Sequence, residues 1–190
     1  MTFDGQQDGE RVLYTVTPHP IAKQLAIARI VFLSVFFIII LWGIGSIVPA
    51  ASDFLHTIGV LLGLILLIIG TWWNVQVFNK EKTYITDRRI IRFDVVSPFF
   101  VTKRALFWNE ALKAKAYAPN FFFRLMNIGT IDVEPILAEG EDVCVKNVYY
   151  FDDLANYIDK ILFTFKNKPT DIALITPFIP KPRGQRKPAD

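Results

Sequence analysis

Two long runs without a charged side chain occupy much of the first half of the chain. One extends from Ile30 to Ser52 and the other from Phe54 to Phe78, with the neutral His56 the only ionisable residue in the second. Each run exceeds the roughly 20 residues that a helix needs to cross the ~30 Å hydrocarbon core of a bilayer. A short connection, 49–53, joins the two predicted helices, placed at about 24–48 and 54–78. The pattern therefore predicts an antiparallel transmembrane hairpin within 21–79.

A cleaved signal peptide is the alternative interpretation of the first run. Its end, Val48-Pro49-Ala50, resembles a small-residue cleavage site. Signal peptides have an apolar region of about 7–15 residues, which is shorter than this run. A second apolar run also follows at once, so we favour the hairpin.

Positive charge around the hairpin predicts its orientation. The connection 49–53 contains no Lys or Arg, whereas its flanks contain Lys23, Arg29, Lys80, Lys82, Arg88, Arg89 and Arg92. Positively charged residues near a span stay in the cytoplasm, so we expect both termini to be cytoplasmic, with 1–20 as a separate N-terminal segment before the hairpin. Trp42, Trp72 and Trp73 suit the aromatic belts at the two membrane faces.

Four glycines suggest how the two predicted helices pack. Gly43 and Gly45 lie about as far before the connection as Gly59 and Gly63 lie after it. In an antiparallel pair these residues meet at similar depth, where small residues let two backbones approach closely. A homo-oligomer with its seam along Gly59-x-x-x-Gly63 is the alternative.

After residue 79 the pattern changes to the period of two that is typical of β-strands. In one segment Ile91, Phe93 and Val95 alternate with Arg92 and Asp94. Similar segments lie at 83–86, 101–108, 112–117, 131–133 and 143–145. Short strands separated by turns favour an antiparallel sandwich or small barrel. The predicted class is α+β, with about six or seven strands in a domain at 80–165.

A helix is predicted to close this domain. Its apolar face follows helical spacing and consists of Leu154, Ile158, Ile161, Leu162 and Phe165. Asp152 and Asp153 precede that face, where a cap and a favourable interaction with the helix dipole are expected. The tail 166–190 is proline-rich and basic, which predicts an extended segment, although 172–175 is apolar enough to add a strand to a sheet edge.

The sequence contains no pattern that indicates an enzyme. His19 and His56 fall on opposite sides of the predicted membrane, and Cys144 has no basic residue directly beside it in sequence that would activate it. Phosphate-binding glycine motifs and metal-ligand spacings are absent from the sequence, so we expect no catalytic residue, cofactor or metal. Residues 79–165 carry twelve basic and twelve acidic side chains, a balance that argues against a nucleic-acid partner.

Two segments are candidates for binding. Arg88, Arg89 and Arg92 follow the second span closely enough to contact anionic lipid headgroups, and Lys103 and Arg104 could join them. The alternative is that these charges only set topology and solvate a hairpin.

The other candidate is Phe121-Phe122-Phe123. Three consecutive aromatic side chains cannot all face one core unless the turn is helical, so at least one is expected at an interface or partner contact. Closure of the barrel mouth is the alternative.

Three segments of the chain carry a family resemblance. Tyr84–Ile91 resembles the opening of the pleckstrin-homology-like (PH-like) domains of bacterial YdbS-like membrane proteins. The aromatic turn 121–124 with the Gly-Thr-Ile strand in 126–131 is similar to a second mark of that family, and 10–20 resembles its approach to the first helix. The resemblance covers about 10–165. It implies a seven-stranded, partly open barrel plugged by the C-terminal helix, and it implies little about a ligand.

These observations lead to three hypotheses. The first is a non-catalytic interaction or assembly module on the cytoplasmic face of a bacterial inner (cell) membrane, with the lipid bilayer and other membrane or cytoplasmic proteins as partners. The second is a module that senses anionic lipid. The third is a subunit of a transport or envelope-assembly complex, since a lone two-helix hairpin could line a conduit only as an oligomer.

Overall fold

The computed structural model describes residues 2–137 and 140–180. They form two compact units. The helical unit contains Pro20–Lys80 and Val95–Phe100, and the β unit contains the described residues of Met1–His19, Glu81–Asp94 and Val101–Asp190. The class is α+β: two long apolar helices, then antiparallel sheets and a C-terminal helix.

In the helical unit, α1 (Pro20–Ile47) and α2 (Ser52–Lys80) are joined by a 3-10 turn at Pro49–Ala51. Both helices have the length and composition of membrane spans. They do not resemble the core helices of a soluble protein, because most of their large apolar side chains are exposed; Phe32 is 68% and Ile68 is 64% exposed. A water-soluble surface seldom carries an apolar area of that extent.

Glycines bring α1 and α2 together. A Cβ atom on Gly59 would lie 3.0 Å from the Leu41 Cβ, and one on Gly63 would lie 2.6 Å from the Ile38 Cδ1. A Cβ atom on Gly45 would lie 2.9 Å from the His56 ring and 3.3 Å from the Leu55 Cβ. Since Gly59 and Gly63 are buried against α1, they do not present an open seam for a second copy.

Two glycines differ from the sequence prediction. A Cβ on Gly43 would have no atom within 4 Å, because this residue lies two positions, about 200° around the helix, from Gly45. The prediction that Gly43 packs in the hairpin is therefore corrected. Gly70, which the prediction omitted, approaches Ile30, and a Cβ there would lie 2.8 Å from the Ile30 Cγ2. Its spacing of seven from Gly63 places it on the same face of α2.

Gly63→Leu is expected to destabilise the hairpin by about 1–3 kcal/mol, because the new side chain has no space beside Ile38. Gly43→Leu adds the same apolar side chain on an open face and is the matched control. Unfolding in mixed micelles with increasing dodecyl sulfate, followed by tryptophan fluorescence, measures both. Equal midpoints for the two variants would contradict this packing.

The β unit contains two antiparallel sheets, which do not close into one barrel. The first sheet has the order β1-β2-β3-β4, with strands at Val12–Val16, Lys82–Thr86, Arg89–Ser97 and Phe100–Phe107. The second has the order β5-β6-β7, with strands at Ala111–Tyr117, Ile128–Pro135 and Val143–Tyr149. A short helix, α3 (Phe121–Leu125), precedes β6, and α4 (Phe151–Asn167) follows β7. The residues 95–100 at the β3–β4 tip group with the helical unit.

Strand β1 lies before the hairpin in the chain and pairs with β2 after it, with Tyr14 opposite Ile85 and Val16 opposite Thr83. The sequence interpretation treated 1–20 as a separate segment; in the structure it supplies an edge strand. Leu13 and Val16 are buried in the core. The β-branched and aromatic composition of 12–16 is the local signal for this strand.

Helix α4 covers the core with the apolar face that its spacing predicts. Leu154, Ile158 and Ile161 are fully buried in one cluster with residues of both sheets. The expected cap is corrected: the N-cap is Tyr150, in the left-handed region with φ 54°, and it makes no side-chain capping bond. Asp152 and Asp153 instead occupy the first turn, where the helix dipole favours their charge.

The tail continues α4 with a 3-10 helix at Pro169–Leu174, so 172–175 does not add a strand. Beyond it, Phe178 packs its ring against Tyr14 and Tyr157, with centroids 4.9 and 5.2 Å apart. The Tyr157 hydroxyl donates to the Thr176 carbonyl at 2.7 Å, and burial raises the pKa of Tyr157 to about 12. The basic end 181–187 lies outside the described residues.

Candidate functional site

Among the predicted basic residues, Arg89 lies in a largely buried ion pair with Glu10. Its Nε lies 2.9 Å from Oε1 of Glu10, and its Nη2 lies 3.0 Å from Oε2. Burial raises the pKa of Glu10, but bonds from Arg89, the Gln7 N–H and the Thr86 hydroxyl outweigh it and hold that pKa below its usual value. The Arg89 guanidinium also lies over the Phe107 ring. This arginine therefore joins the N-terminal segment to β3.

Thr86 is the centre of the same network. Its Oγ1 accepts from the Arg89 N–H at 3.0 Å and lies 2.8 Å from Oε1 of Glu10. The indole N–H of Trp108, a fully buried residue, donates to the Thr86 carbonyl at 2.9 Å. At the next residue of each segment, the Arg11 N–H donates to Asp87 Oδ1. The residues that carry the family resemblance at 84–91 thus stabilise the turn and the attachment of the N-terminal segment.

Arg92 is also internal. Only 7% of the residue is exposed, and its Nη2 lies 2.7 Å from Glu81 Oε1 and 3.2 Å from Asp94 Oδ1. Two carboxylates beside one guanidinium leave this charge neutralised within the protein. Arg92 is not available to an external phosphate.

The other three predicted basic residues are more exposed but also have partners. Arg88 donates to Gln7 Oε1 at 3.2 Å, and Lys103 pairs with Asp4. Arg104 lies between Asp94 Oδ2 and Glu141 Oε2, at 3.9 and 3.7 Å. The structure therefore does not bring the five basic residues together as one free basic surface.

The aromatic candidates lie on α3, whose start is capped by Asn120. The Asn120 side chain accepts from the Phe123 N–H at 3.0 Å. Phe121 and Phe122 are 74% and 72% exposed, whereas Phe123 is half-buried. A helical turn thus directs one of the three aromatic side chains inward and leaves two outside. Closure of a barrel mouth, the alternative interpretation, does not account for the two exposed rings.

Two further apolar side chains complete what we call the α3 surface: Phe121, Phe122, Leu125 and Met126. Leu125 is 71% and Met126 is 47% exposed. The sequence interpretation missed both. Positions 121 and 125, and likewise 122 and 126, are four residues apart, so all four side chains share one face of the helix.

The base of α3 is held firmly to the core. Asn127 adopts a left-handed conformation with φ 58°, and its carbonyl accepts from the Tyr150 N–H at 3.0 Å. Ile128 is fully buried, and Gly129 lies directly against the Phe151 ring. A preorganised apolar surface loses little conformational freedom when a partner binds, which favours binding.

A cleft of about 320 Å³ lies between Arg124 of α3 and the start of α4. It contains one basic and one acidic side chain, and its lining residues are Ala116, Tyr117, Ala118, Arg124, Phe151 and Asp152.

Cys144 does not have the environment of a reactive thiol. Burial raises the pKa of its thiol to about 11, and the Asp132 carboxylate adds to the shift. Reactive cysteines show the opposite shift, because the thiolate is the nucleophile. Among the residues that the structure describes, no group of three or more His, Cys, Asp or Glu could hold a metal ion.

Alkylation of Cys144 by iodoacetamide at pH 7.5 is expected to be roughly 10- to 100-fold slower in the folded chain than in the urea-unfolded chain, because the thiolate is scarcer, although a thiolate of higher pKa is more nucleophilic. The pKa rises from 9.0 to about 11, and each unit reduces the thiolate fraction tenfold. Mass spectrometry of timed samples measures the two rates. A folded-state rate within threefold of the unfolded one would contradict the half-buried environment.

No family model, no curated protein and no solved structure matches the chain. What the site can do is therefore inferred from its own residues. Those residues define an exposed apolar surface on a rigid base, together with a turn in which basic side chains are internally neutralised.

Proposed function

We propose that this chain is a non-catalytic interaction or assembly module, anchored by its helical hairpin in the inner membrane of a bacterium with both termini in the cytoplasm. Its binding domain is PH-like, and the α3 surface is the partner contact. The observation that carries the proposal is the exposure of Phe121, Phe122 and Leu125, each above 70%, on a helix fixed at both ends.

The anchor is supported by the exposed apolar side chains of α1 and α2 and by their uncharged length. Lipid is the environment in which such surfaces are stable without burial in protein. The basic residues at both flanks and the lack of any in the connection support the orientation.

The PH-like assignment is supported by the order of elements. Four strands form one sheet and three form a second, and the terminal helix covers the core that they share. The resemblance of 84–91 and 121–131 implies this arrangement.

Phenylalanine and methionine, which are enriched in protein interfaces, make up three of the four residues of the α3 surface. Large aromatic side chains that stand on a rigid base supply much contact area at low entropic cost, and such residues often carry most of the energy of an interface. By contrast, the lipid-sensing hypothesis has weaker support, because Arg89 and Arg92 are held in largely buried ion pairs. Membership of a larger envelope complex is one form that the proposed assembly role can take.

The test is crosslinking in living cells. A photoreactive residue replaces Met126 in the full-length chain, and the adducts are resolved after gentle detergent extraction. We expect a discrete adduct that disappears when Phe121→Ser and Phe122→Ser are added, because these rings form the contact. Phe163→Ser, at an exposed phenylalanine on α4 (62% exposed), is the matched control and should retain the adduct.

An adduct that survives the double substitution at wild-type level would exclude the α3 surface as the contact. Adducts only to lipid would assign that surface to the membrane instead. Recovery of the full chain from the soluble fraction without detergent would remove the anchor from the proposal.

A further inference from the structure

The tip of the β3–β4 hairpin carries a second exposed apolar surface, and this one lies in the helical unit. The two strands are joined through a turn at Pro98-Phe99. Ser97 Oγ accepts from the Phe99 N–H at 3.3 Å and from the Phe100 N–H at 3.2 Å, which stabilises the turn. The segment 95–100 contains no charged residue.

The tip has two distinct sides. Val95 and Pro98 are buried. Val96, Phe99 and Phe100 point outward, and 72–73% of each is exposed. Three large apolar side chains at one turn form a surface that water solvates poorly.

Two contacts fix the tip on α2. The Phe99 ring lies 6.2 Å from the Trp72 ring, centroid to centroid, and Lys80 Nζ donates to the Pro98 carbonyl at 2.6 Å. Trp72 and Lys80 are eight residues apart, or about 12 Å along the helix axis. Tryptophan prefers the membrane interface, and a lysine at the end of a span extends its ammonium towards the headgroups. The tip is therefore held along the part of α2 that crosses from acyl chains to headgroups.

We propose that Val96, Phe99 and Phe100 insert into the boundary between headgroups and acyl chains, in the leaflet where α2 ends. This inference rests on the proposed membrane anchor and adds a third membrane contact to the two helices. The occupant is lipid rather than protein, because the tip lacks charge and continues the apolar surface of α2 at its interfacial tryptophan. Amphipathic helices that lie in this boundary bury their apolar face by about 5–10 Å, and we expect a similar depth for the tip.

The experiment uses the full chain in vesicles of phosphatidylcholine and phosphatidylglycerol. In a Cys144→Ser background, Phe99→Cys is labelled with the environment-sensitive dye NBD, and quenching is measured with lipids that carry a nitroxide near the headgroup or near the chain end. Ile65→Cys, on the exposed side of α2, is the membrane reference, and Lys160→Cys, exposed on α4, is the aqueous reference. Phe100→Cys is a second tip site.

We expect the label at Phe99 to be quenched more by the headgroup-side nitroxide than by the chain-end nitroxide, with the opposite order at Ile65 and no quenching at Lys160. If Ile65 is quenched and both tip sites behave like Lys160, the insertion is wrong while the anchor stands. If Ile65 is not quenched either, the anchor itself is wrong. A blue-shifted tip label that lipid nitroxides do not quench would show a protein contact and overturn the proposal.

Discussion

Glu10→Gln is expected to lower the free energy of unfolding of the β unit by about 3–5 kcal/mol, because it leaves the Arg89 guanidinium buried without its counter-charge. The change also weakens the bonds that Glu10 makes with Thr86 and Gln7. Urea unfolding of the full chain in mild detergent, followed by tryptophan fluorescence, measures the effect. Urea leaves membrane-type helices largely intact in micelles, so the change in fluorescence comes from Trp108.

Asp8→Asn is the matched control, because it removes the same charge at an exposed position two residues away. Its effect should stay within about 0.5 kcal/mol. A Glu10→Gln variant that unfolds at the same urea concentration as Asp8→Asn would show that the ion pair contributes nothing to stability.

The stabilisation by Glu10 should also depend on pH. The folded-state pKa of Glu10 lies below 4.5, so the unfolded chain binds the proton more readily. The stabilisation is complete above about pH 4.5 and is lost as pH falls through the lower folded value. Glu10→Gln removes this contribution, so the difference in stability between wild type and variant should shrink across that window. A difference that stays constant down to pH 3 would contradict the assignment.

Trp108→Ala is expected to destabilise the β unit by about 3–5 kcal/mol, because it removes the largest fully buried side chain of the core. It also leaves the Thr86 carbonyl without the indole donor. Hydrogen exchange of the β-unit amides, read by mass spectrometry, measures the loss. Trp108→Phe removes the donor but keeps a smaller aromatic ring in the core, so its cost should be smaller than that of Trp108→Ala.

Trp73→Ala, at a half-exposed position in the helical unit, is the control and should leave exchange in the β unit unchanged. Protection of Val133 and Ile158 at wild-type level in Trp108→Ala would mean that the core does not depend on this side chain.

The elements with a strong local signal were predictable. The two apolar runs are long enough that composition alone defines α1 and α2, and the helical spacing from Leu154 to Phe165 defines α4. Alternation defines most strands after residue 79. These signals depend only on residues that are close in sequence, so the elements can be predicted without knowing the tertiary contacts.

The site was harder to predict because its contacts are distant in sequence. Arg89 resembles a surface residue in its local context, yet its counter-charge Glu10 lies 79 positions earlier. The pairing of β1 with β2 spans the whole hairpin for the same reason. At Phe121–Phe123 the sequence predicted an exposed aromatic but could not identify which, since that depends on the cap at Asn120.

The position of β1 before the helices affects how the protein is made. Translation proceeds at about 5–20 residues per second, and 65 residues separate Val16 from Lys82, so Val12–Val16 waits for about 3–13 s before its partner strand emerges. During that interval both helices are synthesised while an apolar strand has an unpaired edge. A fragment that starts after α2 never receives this strand, and its β2 edge would be open to aggregation.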